Sequence, residues 1–129
     1  MKYLLDTHVW LWWYLDPERL EAKTLRLLED GGAELFFSAA SIWEIAIKYR
    51  LGKLKLDTAP ENLLPTELAR DTIRILPISM AHALRAGTLP QHHQDPFDHM
   101  LIAQAQLENM VLVTADTHFA DYKVRLHRA

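Results

Sequence analysis

The segment Gln94-Asp95-Pro96-Phe97-Asp98-His99-Met100 starts the apolar stretch that leads into the clearest strand of the chain, residues 110–113. Asp95 is a preferred N-cap residue, and Pro96 suits the first helical position, where its missing N–H costs nothing. Asp98 falls in the first turn, where the helix dipole favours a negative charge. The segment therefore predicts a helix that runs to about Asn109 and is followed by a buried strand.

Short apolar runs alternate with segments of helical periodicity along the rest of the chain. This alternation predicts a parallel sheet with both faces covered by helices, an α/β fold. The predicted strands are residues 2–5, 34–37, 73–76, 110–113 and 124–126. The predicted helices are residues 7–15, a helix capped by Asp16 and ended by Gly31-Gly32, one that begins at Ser38 or Ser41 and runs to about Leu51, and residues 61–70, 80–86 and 96–109.

Composition sets the class of protein. A chain of 129 residues, of which 50% are hydrophobic, is large enough to bury one core, and we expect a single domain over residues 1–129. The absence of cysteine excludes disulfides, thiolate metal sites and cysteine nucleophiles. The aromatic-rich run 9–15 is far shorter than the ~20 residues that span a bilayer, so we expect a soluble, cytoplasmic protein. The formal net charge of −3 argues against a broadly basic nucleic-acid binder but leaves room for a local phosphate-binding patch.

Four acidic residues lie beside apolar elements. Asp6 and Asp116 directly follow predicted strands, and functional groups of parallel sheets gather beyond the carboxyl ends of the strands. Asp98 starts the helix that feeds the Asp116 strand, which in the simplest picture places it at the wrong end of that connection. Glu44 sits on a mostly apolar helix. Packing of these two helices must therefore bring Asp98 and Glu44 to the sheet edge.

Each acid also has a local explanation. Asp6 and Asp116 suit caps or turns, Asp98 compensates a helix dipole, and Glu44 can pair with Lys48 at i,i+4, on a stripe that also includes Ser41. All four together are harder to explain by coincidence. Converging carboxylates repel one another and raise their pKa values, so such a cluster needs cations. Oxygen ligands without cysteine favour Mg²⁺, with Mn²⁺ as a substitute.

Two surface features are candidates for binding a partner. Four basic residues near the end of the Glu44 helix are candidates for holding the phosphates of a nucleic-acid backbone, or else form a solvated helix end: Lys48, Arg50, Lys53 and Lys55. The helix 7–15 carries aromatic residues on more than one face, so one face meets the core and another a partner, or both faces are buried. These aromatic residues are Trp10, Trp12, Trp13 and Tyr14.

Other chemistries fit the sequence less well. His92, His93 and His99 lack the spacing of a zinc site, so loop or core roles are expected, and neither a nucleophile elbow nor a P-loop is present. A non-enzymatic, receiver-like signalling domain is the competing class, since it is also a parallel α/β fold with an acidic Mg²⁺ pocket. It requires an acceptor Asp at the end of the central strand, whereas strand 73–76 ends in Pro77.

Four segments in order resemble the motifs of PIN-domain ribonucleases. They are Leu4-Leu5-Asp6-Thr7-His8-Val9-Trp10, Ser38-Ala39-Ala40-Ser41-Ile42-Trp43-Glu44-Ile45-Ala46-Ile47-Lys48, His93-Gln94-Asp95-Pro96-Phe97-Asp98 and Val113-Thr114-Ala115-Asp116. The spacing and small size are most similar to the VapC toxins of bacterial toxin–antitoxin pairs. The resemblance covers residues 1–122.

The resemblance implies a PIN-like three-layer sandwich around a central, mainly parallel twisted sheet. It implies that the acidic metal-binding positions are Asp6, Glu44, Asp98 and Asp116, that Thr114 supplies a supporting hydroxyl and that Asp95 mainly caps its helix. His99 stands where arginine is expected more often. The resemblance also implies RNA cleavage to a 5′-phosphate and a 3′-hydroxyl, a homodimer, and inhibition by a cognate antitoxin in a bacterial cytoplasm.

Overall fold

The computed structural model describes residues 1–129, and its centre is a five-stranded parallel sheet. The strands are β1 (Lys2–Leu5), β2 (Glu34–Ser38), β3 (Arg74–Leu76), β4 (Val111–Thr114) and β5 (Leu126–Arg128). Their order is β3-β2-β1-β4-β5, and all four pairings are parallel. The predicted α/β class is confirmed, and the order differs from the 2-1-3-4-5 order of receiver-like domains.

Helices cover both faces of the sheet. They are α1 (Thr7–Leu15), α2 (Ala22–Glu29), α3 (Ala39–Arg50), α4 (Pro60–Arg70), α5 (Met80–Thr88) and α6 (Pro96–Glu108), with short 3-10 helices at Pro17–Arg19 and Thr117–Asp121. Because side chains alternate along a strand, Leu4 and Leu5 enter different apolar clusters, one on each face. The three-layer architecture is thus confirmed. None of the helices combines the length and hydrophobicity needed to cross a membrane.

Helix boundaries near the carboxyl edge of the sheet follow the predicted caps. Ser38, rather than Ser41, caps α3 by accepting from Ala40 N at 3.0 Å. Asp95 Oδ1 caps α6 by accepting from the N–H groups of Phe97 and Asp98 at 2.9 and 3.2 Å. These two caps fix where α3 and α6 begin, and hence where Glu44 and Asp98 stand.

Most predicted bounds differ from the structure by no more than two residues, and two differences have a clear structural reason. The helix expected from Asp16 is interrupted, because Leu20 is extended and buried between the first 3-10 helix and α2, and the Asp16 side chain makes no capping hydrogen bond. The last strand begins at Leu126 instead of residue 124, because Val124 N bonds back to Tyr122 O and β5 joins β4 only from Leu126. Pro65 lies inside α4, which continues through it.

Candidate active site

The first pair of site residues joins two neighbouring strands. Asp6 follows β1 directly and is 5% exposed, and Thr114 is the last residue of β4 and is 3% exposed. Thr114 Oγ1 donates to Asp6 Oδ2 at 2.8 Å and accepts from Asp116 N at 3.0 Å. One hydroxyl therefore orients the Asp6 carboxylate and the backbone that carries Asp116.

A second polar group forms between α1 and α3. The Thr7 hydroxyl makes hydrogen bonds with Ser41 Oγ at 2.7 Å and with Glu44 Oε1 at 2.8 Å. Lys48 Nζ donates to Glu44 Oε2 at 2.6 Å, so the local i,i+4 pair expected from the sequence is present. Thr7 was not among the predicted site residues. Its place directly after Asp6, at the first position of α1, was the signal available in the sequence.

The start of α6 brings Asp98 toward the other acids. The C-terminal end of α6 leads into β4, where Met110 N bonds to Ala105 O at 2.9 Å, so α6 runs back across the sheet and begins near its carboxyl edge. The expectation that Asp98 sits at the wrong end of this connection was wrong, since a helix that returns to the amino edge starts at the carboxyl edge. Burial raises the pKa of Asp98 to about 8, with further contributions from the negative charges of Asp95, Asp6, Asp116 and Glu44.

Opposing effects act on the pKa of Asp6. Burial raises it most, whereas the hydrogen bond from Thr114 and the charge of His8 lower it. The Glu44 carboxylate raises it again, and the net direction is upward. Asp6 therefore stands in electrostatic contact with Glu44, although the two residues come from different elements.

Asp116 lies at the exposed rim of this group. Its Oδ1 accepts from His118 N at 2.9 Å, which caps the short helix Thr117–Asp121, and the same oxygen is 3.0 Å from His118 Nδ1. Asp116 therefore has the capping role that was its local explanation in the sequence. Asp116 still contributes to the raised pKa of Asp98.

The carboxylates of Asp6, Glu44 and Asp116 each have a local partner, and no three His, Asp or Glu side chains are close enough to hold a metal ion without rearrangement. The donor set nevertheless suits a divalent cation. Lys48 is the one ammonium that pairs with any of the four acids, and the pKa of Asp98 is raised by burial and, in addition, by the neighbouring negative charges. Excess charge on oxygen donors favours a hard cation such as Mg²⁺.

Comparison with known proteins places the chain in a family. The family model described as "PIN domain" matches residues 3–124. The chain belongs to the PIN-domain family. This PIN domain is 31% identical to Ribonuclease VapC22 of Mycobacterium tuberculosis over 126 residues, which cover 97% of this chain and 91% of VapC22.

Two further likenesses support the assignment of this PIN domain. It is 34% identical to Ribonuclease VapC16 of Mycobacterium tuberculosis over 79 residues, which cover 60% of the chain and 56% of VapC16. The crystal structure of VapBC2 from Rickettsia felis, bound to a DNA fragment from its promoter, contains a chain of the same fold with a TM-score of 0.76. That match has 21% identity and covers 99% of this chain and 98% of the other.

The predicted basic residues of the PIN domain divide into two groups. Lys48 and Lys53 line a cavity of about 400 Å³ that reaches Thr7. His8 and Arg19 line the same cavity and were missed by sequence reasoning, because they lie on α1 and the following 3-10 helix. The structure does not bring the other two predicted basic residues into this cavity: Arg50 and Lys55 are exposed elsewhere.

The aromatic residues of α1 point in more than one direction. Trp10 is 1% exposed and stacks on Tyr14 with 5.4 Å between ring centroids. Trp12 and Trp13 are half-buried, and the Arg19 guanidinium lies 4.3 Å from the centroid of Trp12. Burial of both faces is therefore wrong, and one aromatic face is available to a partner.

Two histidines pack beside the site: His93 in the loop before α6 and His99 in the first turns of α6. His99 is 7% exposed, and its Nε2 lies 2.7 Å from His93 O and 3.2 Å from the Tyr122 hydroxyl. The His93 ring is 5.4 Å from that of His99 and 5.6 Å from that of His118. The predicted loop and core roles are confirmed for His93 and His99, which hold the loop against the start of α6.

Proposed function

We propose that this PIN domain is a metal-dependent RNA endonuclease and the toxin of a bacterial toxin–antitoxin pair. The observation that carries the proposal is the approach of four carboxylates at the carboxyl edge of the sheet, where burial and then the negative charges of Asp6, Asp116 and Glu44 contribute to a pKa of about 8 for Asp98. Membership of the PIN family and the identity with Ribonuclease VapC22 support RNA as the substrate class. The receiver-like alternative has no support from the strand order.

The four acids each have a proposed part in the reaction. Asp6, Glu44, Asp98 and Asp116 would hold Mg²⁺, for which Mn²⁺ could substitute. When bound, the cation lowers the pKa of a water molecule and offsets the negative charge that develops on the phosphate during hydrolysis. Glu44 or Asp98 orients the attacking water, and the products carry a 5′-phosphate and a 3′-hydroxyl.

Hydroxyl groups keep the buried carboxylates in place for this task. Thr114 holds Oδ2 of Asp6, and Thr7 holds Oε1 of Glu44. Each bond links two elements, so the carboxylates are positioned before substrate arrives. Lys48 pairs with Glu44 from the side of the cavity that Lys48, Lys53, His8 and Arg19 line, which we call the basic cavity.

The basic cavity is the proposed path for the RNA backbone. Lys48 and Lys53 contact phosphates there, with Arg50 and Lys55 as outer contacts, because phosphate contacts position a strand whatever its sequence. The cavity begins at Thr7, which is bonded to Glu44, so a strand that lies in it passes the carboxylates.

A protein antitoxin is the proposed partner, and a homodimer in the bacterial cytoplasm is the proposed assembly. The structural likeness to VapBC2 supports the antitoxin. The half-buried Trp12 and Trp13 offer apolar surface beside the basic cavity, where a bound peptide would block access to the site.

A cleavage assay with matched variants tests the enzymatic function. Protein freed of any partner is incubated with end-labelled single-stranded RNA in Mg²⁺, Mn²⁺ or EDTA. We expect cleavage only with metal, its loss in Asp6→Asn and Asp98→Asn, and full activity in Asp57→Asn, which changes an exposed acid outside the site. Undiminished cleavage by Asp6→Asn and Asp98→Asn in EDTA would contradict the proposal.

A further inference from the structure

A second basic cavity lies at the opposite edge of the sheet from the carboxylates. It has a volume of about 370 Å³ and is formed by α5, the end of α6 and the segment before β5. Its charged lining residues are Arg85, Lys123 and Arg125, and no acidic side chain lines it. The cavity thus gathers three cations on a chain whose formal net charge is −3.

We infer that this cavity between Arg85, Lys123 and Arg125 binds a phosphate group. The phosphate belongs either to a nucleic-acid backbone or to a small free phosphate compound, because both present the same oxygens. The site is separate from the carboxylates: Asp98 starts α6 and Asn109 follows its end, and the helix between them is roughly 16 Å long. The inference does not depend on the proposed nuclease activity.

The two arginines are held in place by side chains at the end of α6, one within the helix and one at its C-cap. Arg85 Nη1 donates to Gln106 Oε1 at 3.0 Å, and Arg125 Nη2 donates to Asn109 Oδ1 at 2.7 Å. Gln106 Nε2 also donates to Lys123 O at 3.0 Å, which fixes the segment that carries Lys123. The cations are therefore arranged around the cavity by neutral amide groups, which leave their charges uncompensated.

Most donors of these cations remain available. A guanidinium has five N–H donors, and in the structure Arg85 uses only Nη1, for one bond, and Arg125 only Nη2, for bonds to Asn109 Oδ1 and O. The Lys123 ammonium makes no hydrogen bond or ion pair. Asp121, two residues before Lys123, does not line the cavity, and Glu108 is engaged with His82, with 2.8 Å between its Oε2 and His82 Nε2.

Size and donor geometry select phosphate as the ligand class. A cavity of about 370 Å³ admits a phosphate with several waters, each of which takes about 30 Å³ in the liquid. Forked N–H groups on two sides match the several oxygens of a phosphate, and Lys123 adds a point charge. A single carboxylate of an acidic peptide would use only part of this donor set.

Titration of the isotope-labelled protein tests the inference. Amide and arginine side-chain signals are followed by NMR while inorganic phosphate is added at constant ionic strength. We expect saturable shifts at Gln106, Asn109 and Lys123. The variant Lys123→Gln, which breaks no contact in the structure, should weaken phosphate binding about tenfold, the effect of losing one charged hydrogen bond. Arg26→Gln removes an exposed charge elsewhere and should change nothing.

A second arm distinguishes the source of the phosphate. An oligoribonucleotide without a terminal phosphate is added in EDTA. The ligand is a nucleic-acid backbone if the oligoribonucleotide shifts the same signals with a lower dissociation constant than inorganic phosphate. In that case Lys123→Gln should also reduce the slope of log binding constant against log salt concentration by about 0.7. If only inorganic phosphate shifts them, the ligand is a free phosphate compound.

Three results would overturn the inference. The first is the absence of saturable shifts with both probes. The second is equal binding by Lys123→Gln and Arg26→Gln. The third is a polyglutamate peptide that shifts the cavity signals at a lower concentration than phosphate, which would make the site a peptide-binding surface.

Discussion

Thr114 Oγ1 lies 2.8 Å from Asp6 Oδ2, although the two residues are 108 positions apart in the chain. The contact joins the carboxyl ends of two paired strands, β1 and β4. Both side chains are buried, so neither group can replace this partner with water at no cost. The hydrogen bond therefore stabilises the fold and orients an acid of the proposed active site.

Thr114→Val preserves the shape of the side chain and removes its hydroxyl. We expect the free energy of unfolding to fall by about 1–3 kcal/mol, because Asp6 Oδ2 and Asp116 N both lose a partner. RNA cleavage should fall as well. Urea denaturation and the cleavage assay measure the two effects. Thr114→Ser, which keeps the hydroxyl, is the control. The prediction fails if Thr114→Val and Thr114→Ser have the same stability and the same cleavage activity.

Lys48→Met removes the cation bonded to a buried acid. Glu44 then keeps its hydrogen bond with Thr7 but loses its ion pair. We therefore expect the free energy of unfolding in EDTA to fall by about 1–3 kcal/mol. Lys53→Met is the matched control, since Lys53 is exposed and makes no ion pair. Equal stability of the two variants in urea denaturation would show that the Glu44 pair contributes nothing.

The raised pKa of Asp98 predicts how stability depends on pH without metal. The pKa is about 8 in the folded chain and has an ordinary value of 3.8, so the folded state binds the proton more tightly. The stabilisation that protonated Asp98 gives the folded state is fully present below about pH 4 and is lost as the pH rises toward 8. Urea denaturation in EDTA should therefore show a stability loss over this window that is smaller in Asp98→Asn. Identical slopes for both proteins would refute the assignment.

Asp95 and Asp98 are expected to respond differently to the same type of change. Asp95→Ala should lower the free energy of unfolding by about 1 kcal/mol, because the N–H groups of Phe97 and Asp98 lose their cap. Asp95→Asn keeps an accepting oxygen and should retain both stability and RNA cleavage. Asp98→Asn should fold and fail to cleave. Loss of cleavage in Asp95→Asn would instead assign Asp95 a direct part in the reaction.

The sequence alone determined the features that depend on near neighbours along the chain. The alternation of apolar runs and helical segments predicted the parallel α/β sheet, Asp95 stands where α6 begins, and α3 begins after Ser38, one of its two predicted starts. Asp6 and Asp116 were correctly placed just after strands. These predictions succeed because a cap or a strand end is decided within a few residues.

Only the tertiary structure decided which of these residues meet. The strand order brings Thr114 to Asp6, and packing of α1 on α3 brings Thr7 to Glu44. The direction of α6 carries Asp98 to the carboxyl edge, where burial and the charges of acids distant in the chain raise its pKa. Such effects depend on distances through space, which burial and strand order determine and which residue spacing along the chain does not contain.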